Sequence, residues 1–284
     1  MDYGLVTIAI VMFSTQFLLN AKYQKENGTG IISSLTLNVI AAIVGIITLA
    51  IISGFDFSIT IFTFICATLS ALISIGFNLF SLKALSKVNL SVYSLFTMLG
   101  GMMLPTVVGI IFYNEGITLA KTLCILLIII SISITAIGQK SSGGTIYYIA
   151  VFILNGLAGV IAKFYGSGNY PKVSSATYSL WIAIIAFIIS MIALLALIKQ
   201  FKMPNLKAII YGSGCGLLNR VANYFVLLAL VTLPVSIQSP LTTGGVIVAS
   251  AIISAIAGQK PTKKDIISVI IAFVGIMALI FVPI

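Results

Sequence analysis

From residue 3 to residue 283 the sequence is a succession of apolar stretches of about twenty residues, broken by short polar turns. A helix of that length crosses roughly 30 Å of hydrocarbon. In lipid, every backbone polar group must also be bonded within the protein, which leaves helices or a closed barrel. Barrel strands would alternate polar and apolar residues over about 10 positions, and these stretches do not. Spans are predicted at 3–21, 31–53, 59–83, 89–113, 119–138, 145–166, 174–199, 207–231, 234–257 and 264–283. The breaks, KYQKENGTG, GFDFS, NEGIT and GSGNYPK among them, are rich in turn residues and too short for a soluble domain. The fold class expected is an all-α polytopic membrane protein with ten transmembrane helices. At 7% charged and 60% hydrophobic residues, the chain cannot cover a soluble surface.

The formal charge of +10 would suggest nucleic acid in a soluble protein. Here lysines at span ends anchor to headgroups and set orientation, so the partner expected is the lipid bilayer, with no nucleic acid. The chain has no histidine, which removes imidazole ligands, Ser-His and Cys-His pairs and histidine proton relays. Cys66, Cys124 and Cys215 are scattered through apolar runs and read as small core residues. No Walker loop and no cluster of acids appears. Neither metal, cofactor nor enzymatic activity is expected. The first twenty residues lack a basic n-region and read as a first span rather than a signal peptide.

The sequence repeats itself. Residues 78–100, NLFSLKALSKVNLSVYSLFTMLG, lie in register with 223–245, NYFVLLALVTLPVSIQSPLTTGG, without a gap. Asn78 meets Asn223, Ser94 meets Ser239, Thr97 meets Thr242 and Gly100 meets Gly245. NAKYQ at 20–24 pairs with IAKFY at 161–165, and NEGIT at 114–118 with GQKPT at 258–262. Residues 1–140 and 141–284 are thus expected to form two five-span repeats of one transporter unit. An odd number of spans sets the halves in opposite orientations, the inverted repeat on which many secondary transporters are built.

A first span ending in Ala-Lys-aromatic, a Gly- and Pro-bearing fourth span and YNEGIT before the fifth resemble EamA-type members of the drug/metabolite transporter superfamily. The resemblance implies a ten-helix bundle with a central cavity and alternating access, each half being EamA-like. Lys22 and Lys163 match the family's first-span lysine. Glu115 matches its glutamate before the fifth span, where Gln259 departs from it. Small multidrug resistance proteins, which resemble one half, use a first-span glutamate for proton and cation exchange. This chain has Ser14, Thr15 and Gln16 there, which disfavours that chemistry.

Arg220, the only arginine, sits within the apolar eighth span. Gly212, Gly216, Asn219 and Asn223 recur at spacings of three and four and share a face beside it. Ala71, Ser74 and Asn78 form the matching stripe of the third span. A guanidinium can hold a carboxylate or phosphate through two hydrogen bonds; it can also be neutralised by helix carbonyls or amides. Ser14 and Asn155 correspond in the first and sixth spans, and Tyr93 and Gln238 in the fourth and ninth, as candidate cavity residues. Lys22 and Lys163 either snorkel to the interface or gate a cavity mouth. Glu115 and Gln259 are read as turn residues, Pro240 as a structural break in the ninth span that hinges or packs, and Thr262-x-x-Asp265 as a capping box. Trp181 and Tyr147-Tyr148 read as interface aromatics.

Lysines crowd the odd-numbered connections, from Lys25, Lys83 and Lys87 to Lys260, Lys263 and Lys264, and leave Lys121 and Lys172 in the even ones. The positive-inside rule then puts both termini outside, whereas the family resemblance implies both inside. The function expected is secondary active transport, by alternating access across the plasma membrane, of a small polar metabolite resembling an amino acid or organic acid. Its anionic group would meet Arg220. The alternatives are a transporter of an organic cation such as a quaternary amine or drug, and a lipid flippase or channel. Ile and Lys usage suggests a bacterial source, and a monomer is compatible with the sequence.

Overall fold

A computed structural model of the chain describes residues 2–87, 89–113, 116, 118–138, 145–229, 235–258 and 262–281. Glu115 and Gln259 lie outside the described residues. Among those described there are ten α-helices and no strand: α1 Asp2–Asn27, α2 Ile31–Ile52, α3 Ile61–Leu85, α4 Leu90–Phe112, α5 Leu119–Gly138, α6 Thr145–Ser167, α7 Ser175–Ala196, α8 Leu206–Ala229, α9 Val235–Ile256 and α10 Lys263–Phe281. Six of them, α1 to α4, α6 and α7, are long and apolar enough to cross a membrane. Large apolar side chains such as Ile47, Ile51, Ile61 and Ile192 stand exposed, far beyond what water tolerates in one patch. The chain is a multi-pass membrane protein.

Local chemistry sets the helix ends. α1 runs past the predicted residue 21 to Asn27, because Ala-Lys-Tyr-Gln-Lys-Glu are mostly good helix formers. It stops at Gly28, whose φ of 82° is the left-handed conformation favouring glycine. Thr60, Asn89 and Ser174 accept hydrogen bonds from the backbone N–H three residues on, capping α3, α4 and α7. Thr262 and Asp265 form the reciprocal box the sequence spacing predicted, at 2.9 and 3.2 Å. Asp265 is buried and also accepts from Asn89 Nδ2 at 2.9 Å, tying the start of α10 to the start of α4.

The packing has a simple rule. α1 packs on α8 and α9, α2 on α7 and α8, α3 on α6 and α7, α4 on α6 and α9, and α5 on α10; α9 also packs on α10, where the corresponding contact of α4 with α5 is slight. Exchanging each helix with the one five places away turns this set of pairs into itself. Two glycines aligned in the sequence, Gly100 and Gly245, make contacts that follow the same exchange. Gly100 of α4 lies so close to α6 that a Cβ there would collide with the Phe152 carbonyl. Gly245 of α9 lies against α1, where a Cβ would collide with the Ile10 side chain. Gly156 of α6 closes the first contact from the other side, 2.8 Å from the Gly100 carbonyl by the same construction. A Gly100→Ala variant should therefore lose about 1–3 kcal/mol of stability from overpacking. Thermal unfolding in detergent would check this, with Gly4→Ala, where a Cβ meets nothing within 4 Å, as the control.

At one end of the bundle, the connection between α2 and α3 is pinned to α7. Asp56 accepts from the Ser58 backbone N–H at 2.9 Å and the Thr177 hydroxyl at 2.8 Å, while Trp181 Nε1 donates to the Ser58 carbonyl at 3.0 Å. The Ser58 and Thr177 bonds hold the Asp56 carboxyl below the ordinary carboxylate range. A depressed folded pKa means that this tether is intact above the ordinary Asp value of about 3.9 and is lost as pH falls through the lowered one. Trp181, the only tryptophan, reports it. Its emission should shift on acidification below about pH 4 in the wild type, and should already be shifted at neutral pH in Asp56→Asn.

Candidate functional site

Among the described residues, eight helices, α1 to α4 and α6 to α9, line a polar interior. α8 supplies its spine. Gly212 and Gly216 let α8 lie against α2, where a Cβ on Gly216 would come within 2.8 Å of Ala41 Cα. One and two turns further along that face, Asn219 and Asn223 emerge from the contact and line open space. The stripe expected from the spacing thus serves two purposes, close packing at one end and a polar wall at the other.

Three chambers that share lining residues surround this stretch. The first, about 190 Å³, is walled by Gln16 and Asn20 of α1, Ser74 and Asn78 of α3, Asn155 of α6, and Asn219 and Arg220 of α8. The second, about 310 Å³, shares Gln16, Asn155 and Asn219 with the first and adds Asn223, Gln238 and Thr242. The third, about 360 Å³, is reached past Arg220 and Asn223 and is lined by Tyr165, Tyr178 and Tyr224.

Arg220 stands on the walls of the first and third chambers. Its stem crosses α2 at Gly45, where a Cβ would lie 3.1 Å from Nε. Ala183 of α7 stands on the other side of that gap. Among the described residues the guanidinium has no hydrogen bond and no ion pair. Among the described residues no Asp, Glu or Lys lines any of the three chambers.

The amides around it are ordered by each other. Asn219 Nδ2 donates to Gln16 Oε1 at 3.2 Å, and Asn223 Nδ2 donates to the Asn219 carbonyl at 2.7 Å. Asn78 Nδ2 donates to Asn38 Oδ1, whose own amide nitrogen is buried without a partner among the described residues. Asn155 Nδ2 donates to the Thr97 carbonyl at 2.6 Å, reaching over Gly101 where a side chain would block it. Gln238 Nε2 donates to the Thr242 hydroxyl at 3.0 Å.

Other candidates lie elsewhere. Ser14 is fully buried and on no chamber wall; its hydroxyl donates to the Ile10 carbonyl at 2.8 Å and faces the Val246 carbonyl of α9 at 3.4 Å. Tyr93 is also fully buried, hydrogen-bonded to Ser81 at 2.6 Å and edge-on to Phe17 at 5.2 Å. Both are removed from the cavity because their polar atoms are already spent on neighbouring helices. Lys163 donates to the Pro105 carbonyl at 3.3 Å and lies 5.6 Å over the Tyr113 ring. Lys22 is exposed and lies 5.7 Å over Tyr211. Neither lysine lines the chambers. Pro240 is buried inside α9, and the three cysteines are free and buried.

Gln16, Asn20, Asn38 and Gly45 were not singled out in the sequence. Gln16 and Asn20 had a legible signal, two amides at i and i+4 in an apolar run. Gly45 had a weaker one, a lone glycine among Ile, Val and Ala.

Residues 142–281 match the EamA-like transporter family. That segment of the chain is therefore EamA-like. The EamA-like family lies within the drug/metabolite transporter superfamily, which is a transporter lineage rather than an enzyme one. A solved crystal structure of a protein, 13% identical, superimposes with a TM-score of 0.62 over 97% of this chain and 97% of its own. At that identity the likeness shows the fold alone. No curated protein matches the sequence.

Packing and cavity residues of this EamA-like chain should separate on mutation. Tyr93→Phe strands the buried Ser81 hydroxyl and should cost about 1–3 kcal/mol of stability. Asn223→Ala, at an exposed position, should cost less than about 0.5 kcal/mol. Thermal unfolding of both variants checks the distinction.

Proposed function

We propose that this EamA-like chain is a secondary active transporter for a small polar metabolite with an anionic group, working by alternating access across the plasma membrane. In this reading all ten helices span the bilayer, and residues 1–140 and 141–284 are two inverted repeats enclosing the chambers. The exchange rule in the helix packing supports that arrangement, since a two-fold axis in the membrane plane would produce it.

One observation carries the substrate class. Arg220 is a permanent cation on two chamber walls, with no described counter-charge. An unpaired charge away from bulk water is costly, so the site favours a ligand that brings the missing anion. A planar guanidinium suits a carboxylate or phosphate. Gln16, Asn20, Asn78, Asn155 and Asn219 surround it with neutral donors and acceptors, which suit the rest of an amino acid or hydroxy acid. A first chamber of about 190 Å³ equals about six water molecules at roughly 30 Å³ each, which favours a small metabolite over a lipid or a large drug.

The organic-cation reading draws on the three tyrosines of the third chamber. Tyr165 and Tyr178 stack on each other at 3.9 Å, which occupies the faces a cation would use, and Arg220 repels a like charge.

Uptake into proteoliposomes of matched amino acids, dicarboxylates and a quaternary amine tests this. The anionic solutes should saturate and the amine should not compete. Arg220→Gln should lower kcat/KM for the anion at least 10-fold, the loss of a charge-assisted hydrogen bond of about 1.5–3 kcal/mol. Anion transport unchanged in Arg220→Gln would sink the proposal.

A further inference from the structure

The two ends of the bundle differ in charge, and the structure identifies which connections share an end. Asn205, between α7 and α8, donates to Glu26 near the end of α1 at 2.8 Å. Asn89 before α4 donates to Asp265 at the start of α10. Lys83 near the end of α3 lies 5.7 Å over Tyr147 at the start of α6. These contacts gather the odd-numbered connections at one face. At the opposite face Thr60 donates to the Pro171 carbonyl and Thr177 to Asp56, joining the connections after α2 and α6. Lys163 there reaches the Pro105 carbonyl, joining the ends of α6 and α4.

The first face carries Lys22 and Lys25 on α1, and Lys83 and Lys87 around the end of α3. It also carries Lys199 and Lys202 between α7 and α8, Lys207 at the start of α8, and Lys263 and Lys264 on α10. Lys25, Lys87, Lys202, Lys207 and Lys264 are exposed, with no hydrogen bond or ion pair to a described residue. Their ammonium groups are available to headgroups. The second face carries Lys121, Lys163 and Lys172. Lys172 is engaged with its own chain, donating to the carbonyls of Gly166 and Gly168 at the end of α6, and Lys163 with the Pro105 carbonyl. Nine described lysines thus stand on the first face against three on the second, and two of those three are engaged with their own chain.

The chambers also have a direction. The third opens at Gly166, Ser175 and Ala176, where α6 ends and α7 begins, on the lysine-poor face. Towards the lysine-rich face the bundle is sealed by Tyr23, Leu37, Leu82 and Ala208, each no more than 2% exposed.

We infer that the lysine-rich face lies against the anionic cytoplasmic leaflet, so that the start of α1, the end of α10 and the open mouth of the chambers all lie outside. Positively charged connections are retained on the cytoplasmic side during insertion, and anionic headgroups hold them there. This is opposite to the orientation that the family resemblance implied. It does not depend on the substrate reading, since it concerns only which way the bundle sits.

Single-cysteine labelling in intact bacterial cells expressing the full chain tests it. Asn169→Cys is exposed on the lysine-poor face and Met203→Cys on the lysine-rich face. The three native cysteines are buried, which keeps the background low. A membrane-impermeant maleimide should label Asn169→Cys in intact cells, and Met203→Cys only after permeabilisation, each by at least 10-fold over the other condition or position. Labelling of Met203→Cys in intact cells, alone or together with Asn169→Cys, overturns the inference. Alkaline phosphatase fused after Ile284 gives a second readout that does not rely on cysteine access. It should be active, and an inactive phosphatase paired with a fluorescent green fluorescent protein fusion would overturn the inference even if neither cysteine reacted.

Discussion

Lipid offers no hydrogen bonds, and that single fact decides where every polar side chain of this chain can sit. A guanidinium and a dozen amides and hydroxyls have to be hidden from hydrocarbon, so the helices carrying them turn those faces inward. The outside is left to residues such as Ile47, Ile61 and Ile192, which would be intolerable in water. Most of the inward groups then find partners on the next helix: Ser14 on Val246, Ser81 on Tyr93, Asp265 on Asn89. Arg220 finds none among the described residues. The chambers exist where this mutual satisfaction stops.

Close approach of backbones makes room for that interior. Gly100 and Gly156 bring α4 and α6 together, Gly245 brings α9 to α1, and Gly212 and Gly216 bring α8 to α2. Small residues are how membrane helices gain packing in the absence of a hydrophobic drive between them. Prolines act beside them. Pro105 cannot donate to the Gly101 carbonyl, and α6 fills the gap with Gly159, whose missing side chain would otherwise sit 2.6 Å from the proline ring. Asn155, one turn away on α6, uses the same opening to reach the Thr97 carbonyl. Packing and site are thus built by the same few positions.

Much of the site was legible in the sequence because helical spacing is a direct readout of side-chain direction. Asn219 and Asn223 share a face by spacing, and both line chambers, as do Ser74 and Asn78 on α3. Reasoning by correspondence between halves did less well. Ser14 corresponds to Asn155 and Tyr93 to Gln238, yet only Asn155 and Gln238 reach a chamber. Equivalent positions face equivalent neighbours only when those neighbours are alike. Val246 offers Ser14 a carbonyl, and Ser81 offers Tyr93 a hydroxyl, so both polar atoms are absorbed into packing. Lys22 and Lys163 part in the same way, one over Tyr211 in the open and the other half-buried against Pro105.

The sequence by itself determined that the chain lives in a membrane, that its helices number about ten, where most of them start and stop, and which faces carry polar groups. These follow from run length, cap residues and a 3.6-residue period, all of them local. The tertiary structure decided which polar groups remain unspent. Whether a guanidinium is neutralised or left to meet a ligand depends on atoms brought by other helices, Gly45 of α2 and Ala183 of α7 in this case, and no spacing along one chain segment records them.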